Sequence, residues 1–304
     1  MTSPGLPLRP GVWYKNLPMK FTKMHGAGND YLYVNAFREK VRDPGKLAVA
    51  MSDRRTGVGA DGLILIAPSK KADFRMIMFN ADGSEGEMCG NGVRCIGKYV
   101  FERGLTKKKE VGLETRAGII GLRLHAKSGR VDRVTADLGP QRPVPPSFHV
   151  RADGKATLLS AETPAGGAVW KGTVVSMGNP HFVVEVDDPD AFPVATIGPL
   201  LEVHPDFPSK VNVEFVRVTG KDHVRQRTWE RGTGETFACG SGACATAVAL
   251  HGLGRVGPRV DIDLRGGRLT IEITPEGRVL MTGPAVDIFD GEWPNSARPK
   301  SLKR

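Results

Sequence analysis

The sequence predicts a mixed α/β chain of the α+β type, made of two structurally similar, pseudo-symmetric domains. Three observations carry this reading. Short strand-like runs occur along the whole chain, with few helical ones between them. A cysteine followed by a glycine-bounded turn and then an apolar run occurs twice, at Cys89 and at Cys239. The residues around these two cysteines correspond at one constant offset of 150 positions, without a gap.

A length of 304 residues suits two domains of ordinary size, and 40% apolar residues suffice for a substantial core. The net charge of +10 is concentrated in Lys107-Lys108-Lys109 and in the C-terminal tail with Arg298, Lys300, Lys303 and Arg304. No aromatic residues interleave with these basic clusters and no nucleic-acid motif accompanies them, so they read as a solvated turn and a loose tail, with no nucleic-acid partner. No run approaches the ~20 apolar residues of a membrane span, and Met1–Lys20 lacks the apolar segment of a signal peptide. The expectation is a cytoplasmic protein with no membrane partner. The four cysteines, Cys89, Cys95, Cys239 and Cys244, form no C-x-x-C pair. No metal site is expected, and free thiols fit better than a disulfide scaffold.

Residues 1–20, with four prolines and no periodicity, read as an extension before the fold. Phe21–Phe37 is a polar turn, His25 to Asp30, running into a strand. A short helix is expected over Lys46–Met51 and a strand over Leu63–Ile66. Between them Gly57, Gly59 and Gly62 match G-x-G-x-x-G, but a strand follows where a dinucleotide site needs a helix, so no nucleotide site is expected. Phe74–Phe79 reads as a strand and Val93–Glu102 as a helix stopped by Gly104. Val111–Thr115, Ile119–His125 and Val131–Asp137 read as strands. Pro140, Pro143, Pro145 and Pro146 mark a domain boundary. The second half repeats the plan, with strands near Thr173–Ser176, Phe182–Val186, Val211–Val218 and Val224–Trp229 and a helix over Ile197–Glu202. The small-sided run Ala243–Leu250 is expected to be a helix buried nearly all round, ended by Gly252 and Gly254. Val260–Leu264, Arg268–Ile273 and Val279–Thr282 are strands, and Ala285–Phe289 is a candidate last strand returning to the first domain. The domains are therefore 21–140 with 283–304, and 141–282.

At the common offset Cys89 falls on Cys239, Gly90 on Gly240, Asn91 on Ser241, Gly92 on Gly242, Glu85 on Glu235, Asn80 on Glu230, Gly62 on Asn212 and Gly28-Asn29 on Gly178-Asn179. A lone cysteine is most often a small buried hydrophobe. Two at equivalent points of a repeat, each at a helix N-terminus, suit a proton exchange at one carbon in the cleft between the domains. One thiolate removes a proton from one face and the opposite thiol delivers one to the other. Helix N–H groups can hold an α-carboxylate and spread the carbanion's charge. The same N–H groups are expected to bias both thiols toward thiolate. Cys95 and Cys244 do not coincide at the offset and read as core cysteines. His25 reads as structural, Asp30, Asp61 and Asp82 as loop-fixing residues, and Glu85 and Glu235 as supports for the loops before the cysteines.

Several segments together resemble the diaminopimelate epimerases, cofactor-independent members of the racemase and epimerase group that use no pyridoxal phosphate. They are Met24–Asp30, Gly57–Gly62, Phe79–Glu85, Cys89–Gly92, Ser176–His181, Val211-Asn212, Glu230–Thr236 and Ala238–Cys244. The resemblance runs from about Met19 to about Glu292. It implies two domains, each a barrel-like β-sheet around a central helix, and interconversion of LL- and meso-diaminopimelate in lysine and peptidoglycan-precursor synthesis. It implies Cys89 and Cys239 as the acid–base pair, assisted by His181 and Glu230. It also implies substrate contacts from Asn29, Asn80, Asn179, Asn212, Glu230 and Arg231, with the helix-end groups Gly90, Asn91, Gly240 and Ser241. No cofactor is implied, and many members are homodimers. One departure stands out. Some members carry Gln where this chain has Gly62, so a side-chain contact is lost here or made by a neighbour. The alternatives are a proline or hydroxyproline type of racemase, which typically has His where Asn91 stands, and a non-catalytic binding protein on the same fold, which would not need both thiols.

Overall fold

The computed structural model describes residues 18–152 and 159–294. The expected N-terminal extension up to residue 17 and the basic C-terminal tail lie outside these residues. The first half runs β1 (Met19–Gly26), β2 (Asn29–Asn35), α1 (Pro44–Ser52), β3 (Gly62–Ala67), β4 (Phe74–Asn80), β5 (Glu85–Gly86), α2 (Gly90–Glu102), β6 (Glu110–Thr115), β7 (Gly118–Lys127) and β8 (Arg130–Pro140). Two strands, β9 (Arg151–Ala152) and β10 (Leu159–Ala165), lead into the second half. It runs β11 (Ala168–Ser176), β12 (Pro180–Glu185), α3 (Val194–Glu202), β13 (Asn212–Gly220), β14 (His223–Glu230), β15 (Gly234–Thr236), α4 (Gly240–Gly252), β16 (Arg259–Leu264), β17 (Gly267–Ile273), β18 (Arg278–Pro284) and β19 (Val286–Trp293).

The halves share their pairing rules as well as their element order. β2 runs parallel to β3 as β12 does to β13, and β4 runs parallel to β6 as β14 does to β16. β19 returns to pair antiparallel with β1, taking the place that β10 takes beside β11. β8 and β18 pair antiparallel and join the halves into one sheet. β19 therefore confirms the last strand expected near Ala285–Phe289. β10 has no counterpart in the sequence expectations, because Leu-Ser-Ala-Glu-Thr-Pro-Ala offers little β-branched alternation and a proline.

β2, β3, β12 and β13 are buried on both faces, which explains their near-continuous apolar runs, whereas β6, β7, β16 and β18 alternate buried and more exposed residues. In β2 and β3, Tyr31, Tyr33, Ile64 and Ile66 join the core around α2, while Leu32, Val34, Leu63 and Leu65 face α1 through Ala48 and Met51. In the second half Phe182, Val184, Val213 and Phe215 pack with Ile197 and Leu201 of α3. The central helices α2 and α4 share one core, which spans both halves. α4 is buried almost throughout, as its run of small residues predicts. Gly104 and Gly254 follow the two helices with positive φ (70° and 72°), a conformation that costs glycine nothing. Among the described residues no helix is long and apolar enough to cross a membrane.

Two sequence expectations shift. Met19 and Lys20 belong to β1, with Met19 6% exposed in the core, and not to the extension. α2 starts at Gly90 rather than Val93, because Cys89 takes the cap position and the glycines after it continue the helix. The structure also accounts for Gly62. A Cβ there would lie 2.2 Å from the Phe79 carbonyl oxygen and 2.8 Å from the Tyr31 ring. No side chain fits, and Tyr31 occupies the space. Replacing Gly62 by Ala should lower stability by about 1–3 kcal/mol, the usual cost of overpacking a core. The check is the urea midpoint; an unchanged value would mean that β3 and β4 separate at no cost.

Candidate active site

α2 and α4 begin in the same way. Cys89 caps α2 in an extended conformation (φ −125°, ψ 117°), and its sulfur accepts the Gly92 N–H at 3.4 Å. Cys239 caps α4 likewise (φ −109°, ψ 112°), accepting the Gly242 N–H at 3.3 Å. The residues just inside the helices are glycines for a reason of space. A Cβ on Gly90 would meet Met281 Cε at 3.0 Å and Gly240 Cα at 3.9 Å, and one on Gly240 would meet Met281 Sδ at 3.0 Å. The two N-termini thus abut, and both capping thiols line one cleft of about 1460 Å³.

The cleft brings together most of the residues expected to touch substrate: Asn29, Asn80, Gly90, Asn91, Asn179, Glu230, Arg231, Gly240 and Ser241. Asn29 Oδ1 accepts from the Cys89 thiol and from Asn91 Nδ2, both at 3.3 Å, while its own Nδ2 donates to Asp61 at 2.6 Å. Arg54 ties Asp61 to Asp30, so these carboxylates fix the loop. Asp82 closes its own turn by accepting from Ser84. Asn80 Nδ2 donates to Ser84 Oγ at 3.0 Å. Glu235 is held by Arg227 and Arg265 behind the second cysteine loop, whereas among the described residues Glu85 pairs only with the more exposed Arg116, at 3.6 Å. Glu230 accepts from Thr236 Oγ1 and lies beside the Cys239 thiol.

Two residues expected at the substrate do not line the cleft. Asn212, 3% exposed, donates to the Pro180 carbonyl at 2.8 Å and accepts the Arg231 N–H at 2.9 Å. It anchors the loop that carries Glu230 and Arg231. His181 is fully buried, with Nδ1 2.8 Å from Glu214 Oε1 and Nε2 3.0 Å from Asn179 Oδ1. It reaches the cleft only through Asn179.

Tyr31, Arg94 and Glu214 are the functional neighbours that motif reading misses. Tyr31 lies beside the Cys89 thiol and lines the cleft. Its place after Asn29-Asp30 in a strand pattern reads only as core. Arg94 is completely buried, donating to Asn91 Oδ1 at 2.7 Å and to the carbonyls of Gly90 and Pro284. It fixes the Asn91 amide and stitches α2 to the second half. No signal marks it apart from a charged residue within an apolar helix. Cys95 and Cys244 are fully buried core residues, and burial pushes their thiols up to about 11 and about 12.

The expectation that helix ends make Cys89 and Cys239 thiolates is overturned. Burial pushes the Cys89 thiol above its ordinary value, more than the Gly92 and Asn91 N–H groups lower it. Cys239 is pushed well above its ordinary value, first by burial and then by Glu230 and Glu214, against Ser241 and Gly242. The magnitudes decide this. A helix end is worth roughly 0.3–1 kcal/mol to an anion, whereas moving a charge out of water costs several kcal/mol. Burial likewise raises Glu230 above the usual carboxylate range. Among the described residues no group of three or more His, Cys, Asp or Glu converges as metal ligands would.

Residues 21–144 and 173–288 match the family model described as diaminopimelate epimerase. The chain belongs to the diaminopimelate epimerase family. A protein of Agathobacter rectalis named diaminopimelate epimerase is 50% identical over 281 residues, covering 90% of this chain and 99% of that one. One of the same name from Leptospira biflexa is 49% identical over 277 residues, covering 91% and 99%. Among solved structures, a hydroxyproline epimerase of Agrobacterium vitis with bound trans-4-hydroxy-L-proline aligns with a TM-score of 0.63 at 19% identity, over 93% of this chain and 94% of that one. A probable proline racemase of Agrobacterium radiobacter aligns with a TM-score of 0.66 at 17% identity over the same shares. At such identities the likeness concerns the fold, which is that of this wider group.

The raised thiols have a direct consequence. A neutral thiol becomes reactive only as pH climbs toward its pKa. Alkylation of Cys89 and Cys239 by iodoacetamide, followed peptide by peptide, should keep rising up to at least about pH 9, with Cys95 and Cys244 unmodified. A plateau already reached below neutrality would mean that the helix ends outweigh burial.

Proposed function

We propose that this chain is an isomerase that interconverts LL- and meso-diaminopimelate without a cofactor, by a two-base exchange between Cys89 and Cys239. The observation that carries the reading is the abutment of two cysteine-capped helix N-termini in one cleft, within a chain of the diaminopimelate epimerase family. The substrate α-carboxylate accepts N–H groups from the first turns of α2 and α4, including those of Gly90-Asn91 and Gly240-Ser241. The α-carbon then lies between the sulfurs. One thiolate takes the α-proton as the other thiol gives one from the opposite face, and the centre inverts. The N–H groups and the two helix ends stabilise the charge that spreads into the carboxylate.

Each thiol has its own supporting groups. Cys89 has Tyr31 and Asn29, and Cys239 has Glu230 and Ser241. Burial raises Glu230 above its ordinary value, and it lies beside Cys239, within reach of its proton. At the far end diaminopimelate carries a second ammonium and carboxylate, for which Asn80 and Arg231 of the same cleft offer polar contacts. A cleft of about 1460 Å³ has room for that length. The domains are 21–140 with 283–304, and 141–282, a division supported by the β8–β18 seam and the return of β19. A place in lysine and peptidoglycan-precursor synthesis, the cytoplasm and a homodimer complete the reading. For the homodimer, the exposed apolar residues Val286, Ile288 and Phe289 of β19 offer a surface. The basic turn needs no nucleic acid, since Lys108 already pairs with Asp73 at 2.6 Å.

The test is a pair of single variants. Cys89→Ala and Cys239→Ala should each lower kcat for LL-diaminopimelate by about 10²–10⁴-fold, the usual worth of a positioned acid or base, with an unchanged circular dichroism spectrum. Wild-type turnover of lysine and proline should be far weaker. Near-normal epimerisation by either variant, or comparable kcat/KM on proline, would reject the proposal.

A further inference from the structure

The two half-sites share a backbone but differ beneath their thiols. At the common offset His181 corresponds to Tyr31, and Glu214 corresponds to Ile64. The coordinates bear this out in space. A Cβ built on Gly92 would meet Ile64 Cδ1 at 2.8 Å and Cys89 Cβ at 3.4 Å, and one built on Gly242 would meet Glu214 Oε1 at 2.6 Å and Cys239 Cβ at 3.3 Å. A carboxylate thus stands under Cys239 where a methyl group stands under Cys89. Glu214 has no exposed surface, and its Oε2 has no hydrogen-bond partner among the described residues. A buried carboxylate with one oxygen unsatisfied is costly to keep and asks for a role.

Contacts lead from it to the thiol. Glu214 Oε1 lies 2.8 Å from His181 Nδ1, and His181 Nε2 lies 3.0 Å from Asn179 Oδ1. Asn179 Nδ2 is 3.3 Å from Ser241 Oγ, and Ser241 Oγ is 3.5 Å from Cys239 Sγ. We propose that Glu214 is a positioning residue for Cys239: it sets the direction of this chain of hydrogen bonds, so that the chain ends in a hydroxyl donated to the sulfur. A carboxylate only accepts, so His181 Nδ1 donates to it. The amide oxygen of Asn179 also accepts, so Nε2 donates as well, and the His181–Glu214 pair is neutral overall. With its oxygen occupied, Asn179 presents N–H to Ser241. Ser241 Oγ accepts that bond, and its own hydrogen is left for Cys239. Along this chain no proton is lost or gained; only orientation is fixed. The other groups that face Cys239 are Glu230 on β14 and, across the cleft, Cys89.

The inference rests on the reading of Cys239 as an acid–base thiol, but its test reads thiol chemistry without turnover. A failure of that reading would show in the cysteine variants and not here. The probe is iodoacetamide at fixed alkaline pH, with the rates at Cys239 and Cys89 resolved by peptide mass spectrometry. Glu214→Gln can donate as well as accept, so the direction is no longer imposed. Glu214→Ile copies the residue beneath Cys89 and serves if the glutamine variant does not fold. Ser241→Ala removes the last link and leaves the buried pair in place. Each should slow alkylation of Cys239 by about fivefold, the rate equivalent of one net hydrogen bond, leave Cys89 at its wild-type rate, and give no further loss when the position 214 and 241 changes are combined. An unchanged or faster Cys239, an equal fall at Cys89, or additive losses in the combined variant would overturn the proposal.

Discussion

The site depends on one close contact, the abutment of two helix N-termini through Gly90 and Gly240 beneath Met281. A side chain at either glycine would press first on the tip of Met281, which packs over the junction. Because the helices meet, two cap residues that belong to different halves share one cleft, and two sets of helix N–H groups point at one place. Burial makes the contact chemically demanding. It raises both thiols above their ordinary values even though each sits at a helix end. The resting site therefore favours two neutral thiols, and charge has to be introduced where hydrogen-bond donors already wait. That is the condition under which fixed dipoles are worth most.

Pseudo-symmetry supplies the geometry, and departures from it supply the chemistry. The shared rules, parallel β2–β3 and β12–β13, capped α2 and α4, and seam β8–β18, place the sulfurs equivalently. In the proposed reaction, the carbon to be inverted would nevertheless meet two unlike groups. Cys89 has Tyr31 and Asn29, and Cys239 has Glu230 and a polar chain ending at Glu214. Arg94 at α2 has no cationic counterpart in α4, where Cys244 stands at the matching offset, and its guanidinium is spent on Asn91 and Gly90 of its own helix and on Pro284 of β18.

Much of this was legible in the sequence because repeats and turns are written locally. The constant offset located both cysteines just before helices and apolar runs located most strands, while the glycines after Cys89 and Cys239, read as a turn, are the first helical residues. The polarity of the thiols was not legible. Helix-end electrostatics can be read from a pattern, but the depth of burial that outweighs it comes from residues far apart in the chain. The same holds for Asn212 and His181. Their motifs named them, yet only the fold shows that Pro180 and Arg231 use up the first and that Asn179 and Glu214 enclose the second. Tyr31 and Glu214 sit in strands whose alternation reads simply as core. β10 went unseen because its composition is poor in strand-forming residues and its pairing with β11 supplies the stability.

The central claim is that two different groups handle the proton on the two faces of one carbon. It is tested most directly by running LL-diaminopimelate in heavy water and stopping the reaction at low conversion. The account predicts meso product with one deuterium at the inverted carbon and unreacted LL-substrate with none, because the base that removes hydrogen is not the acid that returns deuterium. Deuterium appearing in recovered LL-substrate as fast as in product would mean a single base serving both faces, and would contradict the account.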